Sequence, residues 1–100
     1  MPDSEQPSRD LHVIDVPAAS RFELMLGTER VGLADYSITD GVMTVPHVET
    51  DPAHQGQGFA AVLMDGVIES LRTNDQTVRP VCPYAAAYMQ RRPETQDLLA

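Results

Sequence analysis

The chain has 100 residues, of which 42% are hydrophobic and 22% are charged, and its seven basic residues leave a net charge of −8. This length predicts one domain, and the composition is typical of a globular protein. The acidic charge opposes nucleic-acid binding, which needs basic side chains to neutralise phosphates, and no apolar run reaches the roughly 20 residues of a membrane span. One cysteine, Cys82, excludes an internal disulfide framework and favours a cytoplasmic location.

The first part of the chain predicts a polar tail followed by strands. We expect residues 1–10 to be disordered, without the features of a signal peptide, and residues 11–100 to form a single domain. Alternating apolar residues and the turn signals Gly27–Glu29 and Asp40-Gly41 predict a three-stranded antiparallel meander between residues 20 and 50. For His12–Val16 the sequence leaves two readings open, an additional strand or an irregular segment.

The second part of the chain predicts a helix, a strand and a helix. Apolar residues after Gly58 recur at helical spacing: Ala60, Leu63, Met64, Val67, Ile68 and Leu71. Gly66 inside this helix indicates close packing on a sheet. Thr77–Cys82 predicts a strand that runs parallel to an earlier one, because the helix serves as its crossover. Pro83 is favoured at the first turn of a second helix, which ends before Pro93. The fold class is therefore α+β, with a mixed α/β layer.

Two glycines, Gly56 and Gly58, stand where the first helix begins. The first amides of a helix lack intrahelical partners, and the helix dipole adds positive potential, so bare backbone here favours an anion such as a pyrophosphate. A plain turn with glycines chosen for their conformation is the alternative, and the physical argument leaves both open. The spacing fits neither a Walker loop nor a Rossmann fingerprint.

The segment Gln55-Gly56-Gln57-Gly58-Phe59-Ala60 resembles the Q/R-x-x-G-x-G/A motif of the Gcn5-related N-acetyltransferases, which cradles the pyrophosphate of coenzyme A. His47, the segment Pro80-Val81-Cys82-Pro83-Tyr84 and the ending Arg92-Pro93-Glu94 are similar to a single-domain subgroup with a P-x-C strand end. The resemblance spans Arg21 to Leu99. It implies a minimal acetyltransferase-like fold, acetyl-CoA as co-substrate and an amine acceptor.

The resemblance also implies where coenzyme A lies. The acyl arm is expected between the His47 strand and the next strand, which splay apart, and Pro46 agrees with this because it cannot donate to a ladder. The implied coenzyme-binding residues are Val48, Glu49, Gln55, Gly56, Gln57, Gly58, Phe59, Ala60 and Tyr88.

His47 is the predicted general base. Strand alternation places Met43, Val45, His47 and Glu49 on one face, where Glu49 can orient the imidazole. The alternative is a histidine without a catalytic role. Proton transfer of this kind is what amine acetylation needs.

Cys82 and Tyr88 complete the predicted catalytic residues. Cys82 precedes a helix N-terminus, which favours a thiolate and an acetyl-cysteine relay; the alternative is a small buried hydrophobe. By the resemblance, Tyr88 protonates the coenzyme sulfur. The three histidines and one cysteine fall at no ligand spacing, so no metal site is predicted.

Two functions follow from these residues. The first is an acetyl-CoA-dependent N-acetyltransferase acting on a small cationic molecule or a basic peptide, as the acidic charge favours. The second is a non-catalytic module that binds coenzyme A or acyl-CoA and acts through a partner protein. The second is favoured because the helices that form the acceptor site in larger family members have no counterpart in this sequence. The first is favoured because both His47 and Cys82 are retained.

Overall fold

Five strands and two helices make up the described part of the chain, residues 10–100, in a computed structural model. The elements are β1 (Leu11–Val16), β2 (Arg21–Leu26), β3 (Glu29–Thr39), β4 (Val42–Thr50), α1 (Phe59–Thr73), β5 (Thr77–Pro80) and α2 (Pro83–Gln90). Short 3-10 turns occupy Pro17–Ala19, Pro52–His54 and Pro93–Leu98. The predicted tail, 1–10, lies outside the described residues except for Asp10. Between residues 10 and 100, no helix has the length and apolar character needed to cross a membrane.

The strands form one sheet in the order β1-β2-β3-β4-β5, antiparallel except for β5, which is parallel to β4. The predicted meander is confirmed as β2, β3 and β4. Both predicted turns are present, and Gly27 and Gly41 adopt left-handed φ values of 62° and 78°. The open question about His12–Val16 is also answered, since this segment lies in β1 and pairs with β2 at the sheet edge.

The helix α1 packs across one face of the sheet and closes the core. Its buried residues follow the predicted spacing: Phe59, Leu63, Met64, Val67 and Leu71. They pack with buried residues of the sheet: Phe22, Leu24, Ala34, Met43, Val45 and Val78. A Cβ placed on Gly66 would lie 2.7–2.8 Å from side-chain atoms of Val13, which confirms the close helix–sheet packing.

A β-bulge interrupts the pairing of β3 and β4. Asp35 pairs with His47 but Ser37 pairs with Thr44, so a single β3 residue opposes two residues of β4, Val45 and Pro46. An extra residue in one strand reverses the side-chain alternation beyond it. The predicted common face of Met43, Val45, His47 and Glu49 is therefore wrong. Met43 and Val45 are buried under the helices, whereas His47 and Glu49 are exposed on the opposite face.

Candidate active site

The loop before α1 leaves backbone amides open at the helix N-terminus. Gly56 and Gly58 have φ values of 84° and 78°, and Gly58 occupies the N-cap position without a side-chain cap. Among the described residues, no atom lies within 4 Å of a Cβ placed on either glycine. The positive φ values explain why glycine is needed in this turn. The open space above it leaves the first-turn amides of α1, which lack intrahelical partners, accessible to an anion.

The pairing of β4 with β5 ends where the bulge begins. The ladder runs from Val42 to Val45, and the amides of Val81 and Cys82 then both donate to the carbonyl of Val45, at 3.1 and 2.9 Å. Among residues 10–100, β5 pairs with no residue of β4 beyond this point. Within the described residues, β5 is paired with β4 along all four of its residues and then ends, so residues 46–50 have no partner on that side and the expected splaying of the two strands stays a prediction.

His47 and Glu49 form a hydrogen-bonded pair on this free segment. His47 Nε2 lies 2.7 Å from Glu49 Oε1, and the side chains are 52% and 55% exposed. When Nε2–H donates to the carboxylate, Nδ1 is the nitrogen that remains to accept a proton. Asp35 lies directly opposite His47 on β3, so a second carboxylate flanks the imidazole. The pair has the composition of an oriented general base.

Cys82 lies in a different environment from His47. Its side chain is only 7% exposed and belongs to the hydrophobic core, and the residue caps α2 ahead of Pro83. Its amide donates a hydrogen bond to the carbonyl of Val45, two positions before His47 in the chain. The imidazole, in contrast, faces solvent on the other side of the sheet. These surroundings match the small buried hydrophobe, and the acetyl-cysteine relay stays a prediction.

Tyr88 uses its hydroxyl to join the two helices. The residue is 4% exposed, and its O–H donates to the carboxylate of Asp65 on α1. Burial, and after it the hydrogen bond to Asp65, raise the pKa of Tyr88 above its ordinary value. The guanidinium of Arg92 lies over the tyrosine ring, 3.9 Å from its centroid. Proton donation from Tyr88 to the coenzyme sulfur stays a prediction, and Asp65 is a partner that the sequence did not indicate.

Besides Tyr88, two of the predicted coenzyme-binding residues direct their side chains inward. Val48 is partly buried against the core and Phe59 is 5% exposed. Gln55 and Gln57 are exposed on the loop. The ring of His54 stacks on that of Phe59, with centroids 5.4 Å apart and planes 23° apart. The loop is therefore anchored by aromatic packing on one side and open on the other.

Comparison with known proteins identifies the family. A model of the GCN5-related N-acetyl-transferase family matches residues 21–98. The chain belongs to this family. Its reaction is acetyl transfer from acetyl-CoA to an amine, and the chain is accordingly an acetyl-CoA-dependent acyltransferase. No protein in the search of curated proteins matches the sequence significantly.

Solved structures share the fold of this family member. The ribosomal-protein-S18-alanine N-acetyltransferase of Escherichia coli is similar with a TM-score of 0.60 and 17% identity, over 90% of this chain and 68% of that chain. A GCN5-like putative N-acetyltransferase of Staphylococcus aureus is similar with a TM-score of 0.64 and 18% identity, over 91% and 89% of the two chains. These likenesses confirm the α+β acetyltransferase fold.

Proposed function

We propose that the protein transfers the acetyl group of acetyl-CoA to the amine of a small cationic molecule or a basic peptide. The observation that carries this proposal is the position of the His47–Glu49 pair. It lies on the segment of β4 that β5 leaves unpaired, and the same strand continues into the glycine loop of α1. A base and an anion site therefore follow one another along a single open edge.

The coenzyme binds along this edge, with its pyrophosphate at the glycine loop and its acyl arm beside β4. The pyrophosphate is received by the amides of residues 57–60, where an uncapped helix N-terminus and the space beside Gly58 favour a dianionic group. The acyl arm follows the free edge of β4 and contacts the backbone of Val48 and Glu49. The carbonyl of Val45 is already occupied by the amides of Val81 and Cys82, so the backbone groups left for the acyl arm lie beyond it on β4.

His47 acts as the general base in direct transfer. Its Nδ1 accepts a proton from the acceptor amine, and Glu49 stabilises the imidazolium that forms. The amine nitrogen attacks the thioester carbonyl, so that a C–N bond forms, the C–S bond breaks and coenzyme A leaves as a thiolate. That thiolate takes up a proton from solvent water, and the His47 imidazolium returns its proton to solvent, which regenerates the base. Direct attack is supported over a cysteine relay because the Cys82 thiol is in the core.

A positively charged acceptor agrees with the charge near His47. Asp35 opposes His47 across the strands and Glu49 lies beside it, so two carboxylates border the proposed reaction centre. The whole chain has a net charge of −8, which adds a long-range attraction for cations.

The test combines binding and turnover. Calorimetry with acetyl-CoA measures affinity, and coenzyme A release is measured with polyamines, lysine-containing peptides and neutral amines as acceptors. We expect His47→Gln to lower kcat by about 10²–10⁴-fold with acetyl-CoA affinity retained, and Glu49→Gln to lower it less. His12→Gln, an exposed histidine on β1, is the matched control and keeps full activity. Acetyl-CoA binding without turnover of any amine would overturn the proposal in favour of a coenzyme-binding module.

A further inference from the structure

A cluster of three possible metal ligands lies beside the glycine loop and away from His47. Glu29, Asp51 and His54 each place a ligand atom within 4.8 Å of the other two. The sequence predicts no metal site because its histidines and cysteine lack ligand spacing. Folding brings two carboxylates to one imidazole, a combination that sequence spacing does not reveal.

Asp51 and His54 are aligned by local backbone geometry. Asp51 is the N-cap of the 3-10 turn Pro52–His54 and His54 is its last residue, and residues three apart in such a turn lie on the same side. The Asp51 Oδ1 atom accepts a hydrogen bond from the amide of Ala53 at 2.9 Å, which orients the carboxylate and leaves Oδ2 for a ligand. The two side chains are thus held on one side of a short turn.

Glu29 reaches the same place from the neighbouring strand. The amide of Asp51 donates to the carbonyl of Val31 at 2.8 Å, so the end of β4 stays beside the beginning of β3. The Glu29 Oε2 atom lies 3.7 Å from His54 Nε2, which is longer than a hydrogen bond. Two ligands of a tetrahedral zinc ion with bonds of about 2.1 Å are separated by about 3.4 Å, so the Glu29–His54 distance suits two ligands of one ion, and the ligand atom of Asp51 lies within 4.8 Å of both.

The imidazole is oriented while the carboxylates remain accessible. His54 stacks on Phe59 and its side chain is 21% exposed, whereas that of Glu29 is 59% exposed. One neutral imidazole and two carboxylates supply two negative charges, which match a dication, and water can complete the coordination. Nitrogen and oxygen ligands together favour zinc over magnesium or calcium, which prefer oxygen alone.

We propose that Glu29, Asp51 and His54 bind a zinc ion that joins the β2–β3 turn to the segment leading into the glycine loop. This inference is independent of the proposed acetyl transfer, because the cluster contains neither His47 nor any residue assigned to coenzyme A. The bound ion links His54, the residue before Gln55, to Glu29 and so restrains the start of the glycine loop.

The test is calorimetry of zinc chloride with the tag-free full chain in the absence of coenzyme. We expect one saturable site, weakened more than about tenfold by Glu29→Gln, by Asp51→Asn and by His54→Phe. Asp51→Asn retains an oxygen for the Ala53 amide, and His54→Phe retains an aromatic ring on Phe59. His12→Gln is the matched control, an exposed histidine outside the cluster, and keeps full affinity.

Cobalt absorption supplies an independent readout of the ligands. Cobalt bound at this site is expected to give visible d–d bands without the near-ultraviolet charge-transfer band of a thiolate, and Cys82→Ser leaves the spectrum unchanged. Circular dichroism checks that each variant is folded. Glu29→Gln is an exposed, isosteric change, so we expect this variant to keep the fold. No saturable zinc binding, or equal affinity in wild type and Glu29→Gln, would overturn the proposal and leave an ion pair between His54 and Glu29.

Discussion

Gly66 of α1 lies directly against Val13 of β1, so that a Cβ on the glycine would stand 2.7 Å from the valine side chain. Helix and edge strand therefore approach each other more closely than any residue with a side chain would permit. This contact holds β1 under the helix and completes the sheet on that side.

Gly66→Ala is expected to destabilise the protein although alanine is the better helix former. The helix gains about 1 kcal/mol from propensity, but the clash with Val13 costs about 1–3 kcal/mol. We therefore expect a net loss of about 1 kcal/mol in the free energy of unfolding, measured with urea. In the Val13→Gly background, which removes Cβ and both Cγ atoms of the valine, the clash is absent and the same substitution is expected to be stabilising. A stabilising effect in the wild-type background would contradict the packing described.

Gly58→Ala and Gly41→Ala form a matched pair for the glycine loop. Both glycines have a φ of 78°, and in the described part of the chain a Cβ on either meets no atom within 4 Å, so each substitution strains the backbone by about 1–2 kcal/mol. Only Gly58 adjoins the first amides of α1. We expect equal losses of stability in urea unfolding but weaker acetyl-CoA binding in Gly58→Ala alone, measured by calorimetry. Equal affinities in the two variants would remove the loop from the coenzyme site.

Tyr36 makes stability depend on alkaline pH. Its hydroxyl donates to Asp15 Oδ1 at 2.6 Å, and burial followed by this bond raises the pKa of Tyr36 to about 12. The pKa of tyrosine in the unfolded chain is about 10. Because the folded state holds the proton more tightly, this stabilisation is complete below about pH 10 and is lost as the pH rises through about 12.

We expect the free energy of unfolding to fall between about pH 10 and about pH 12, and to fall less steeply in Tyr36→Phe. Urea unfolding at a series of pH values measures the slope, and tyrosinate absorbance measures the titration itself. Tyr88 contributes in the same direction, since its pKa is also raised, so the comparison is repeated in a Tyr88→Phe background. Identical slopes with and without the Tyr36 hydroxyl would refute the assignment.

Tyr88→Phe and Asp65→Asn separate helix packing from catalysis. Either substitution weakens the hydrogen bond between α2 and α1, and we expect each to lower the free energy of unfolding by about 1 kcal/mol. In a double-mutant cycle the two losses are expected to be less than additive, because they remove the same contact. A fall in kcat in Tyr88→Phe that Asp65→Asn does not share would assign proton transfer to the tyrosine hydroxyl.

Much of the fold could be predicted because local signals agree with it. The Asp40-Gly41 turn, the apolar spacing of α1 and Pro83 at the start of α2 each act within a few residues, and the structure contains all three. The glycine motif led to the family in the same way. Local sequence signals were sufficient for elements whose conformation depends on only a few neighbouring residues.

The candidate site was harder to predict because it depends on pairing between strands. Strict alternation placed His47 with Val45, but the bulge at Pro46 turned it to the other face. The partners of Tyr88 and His54, which are Asp65 and Glu29, come from distant parts of the chain. Neither contact has a local signal, since each depends on how helices and strands are brought together.

The bulge at Pro46 has a consequence for self-association. The free edge of β4 presents unpaired backbone groups, and such an edge invites strand addition from a second molecule. The bulge bends the strand away from the flat geometry that intermolecular pairing needs. The irregularity that turns His47 outward thus also discourages edge-to-edge pairing with a second molecule.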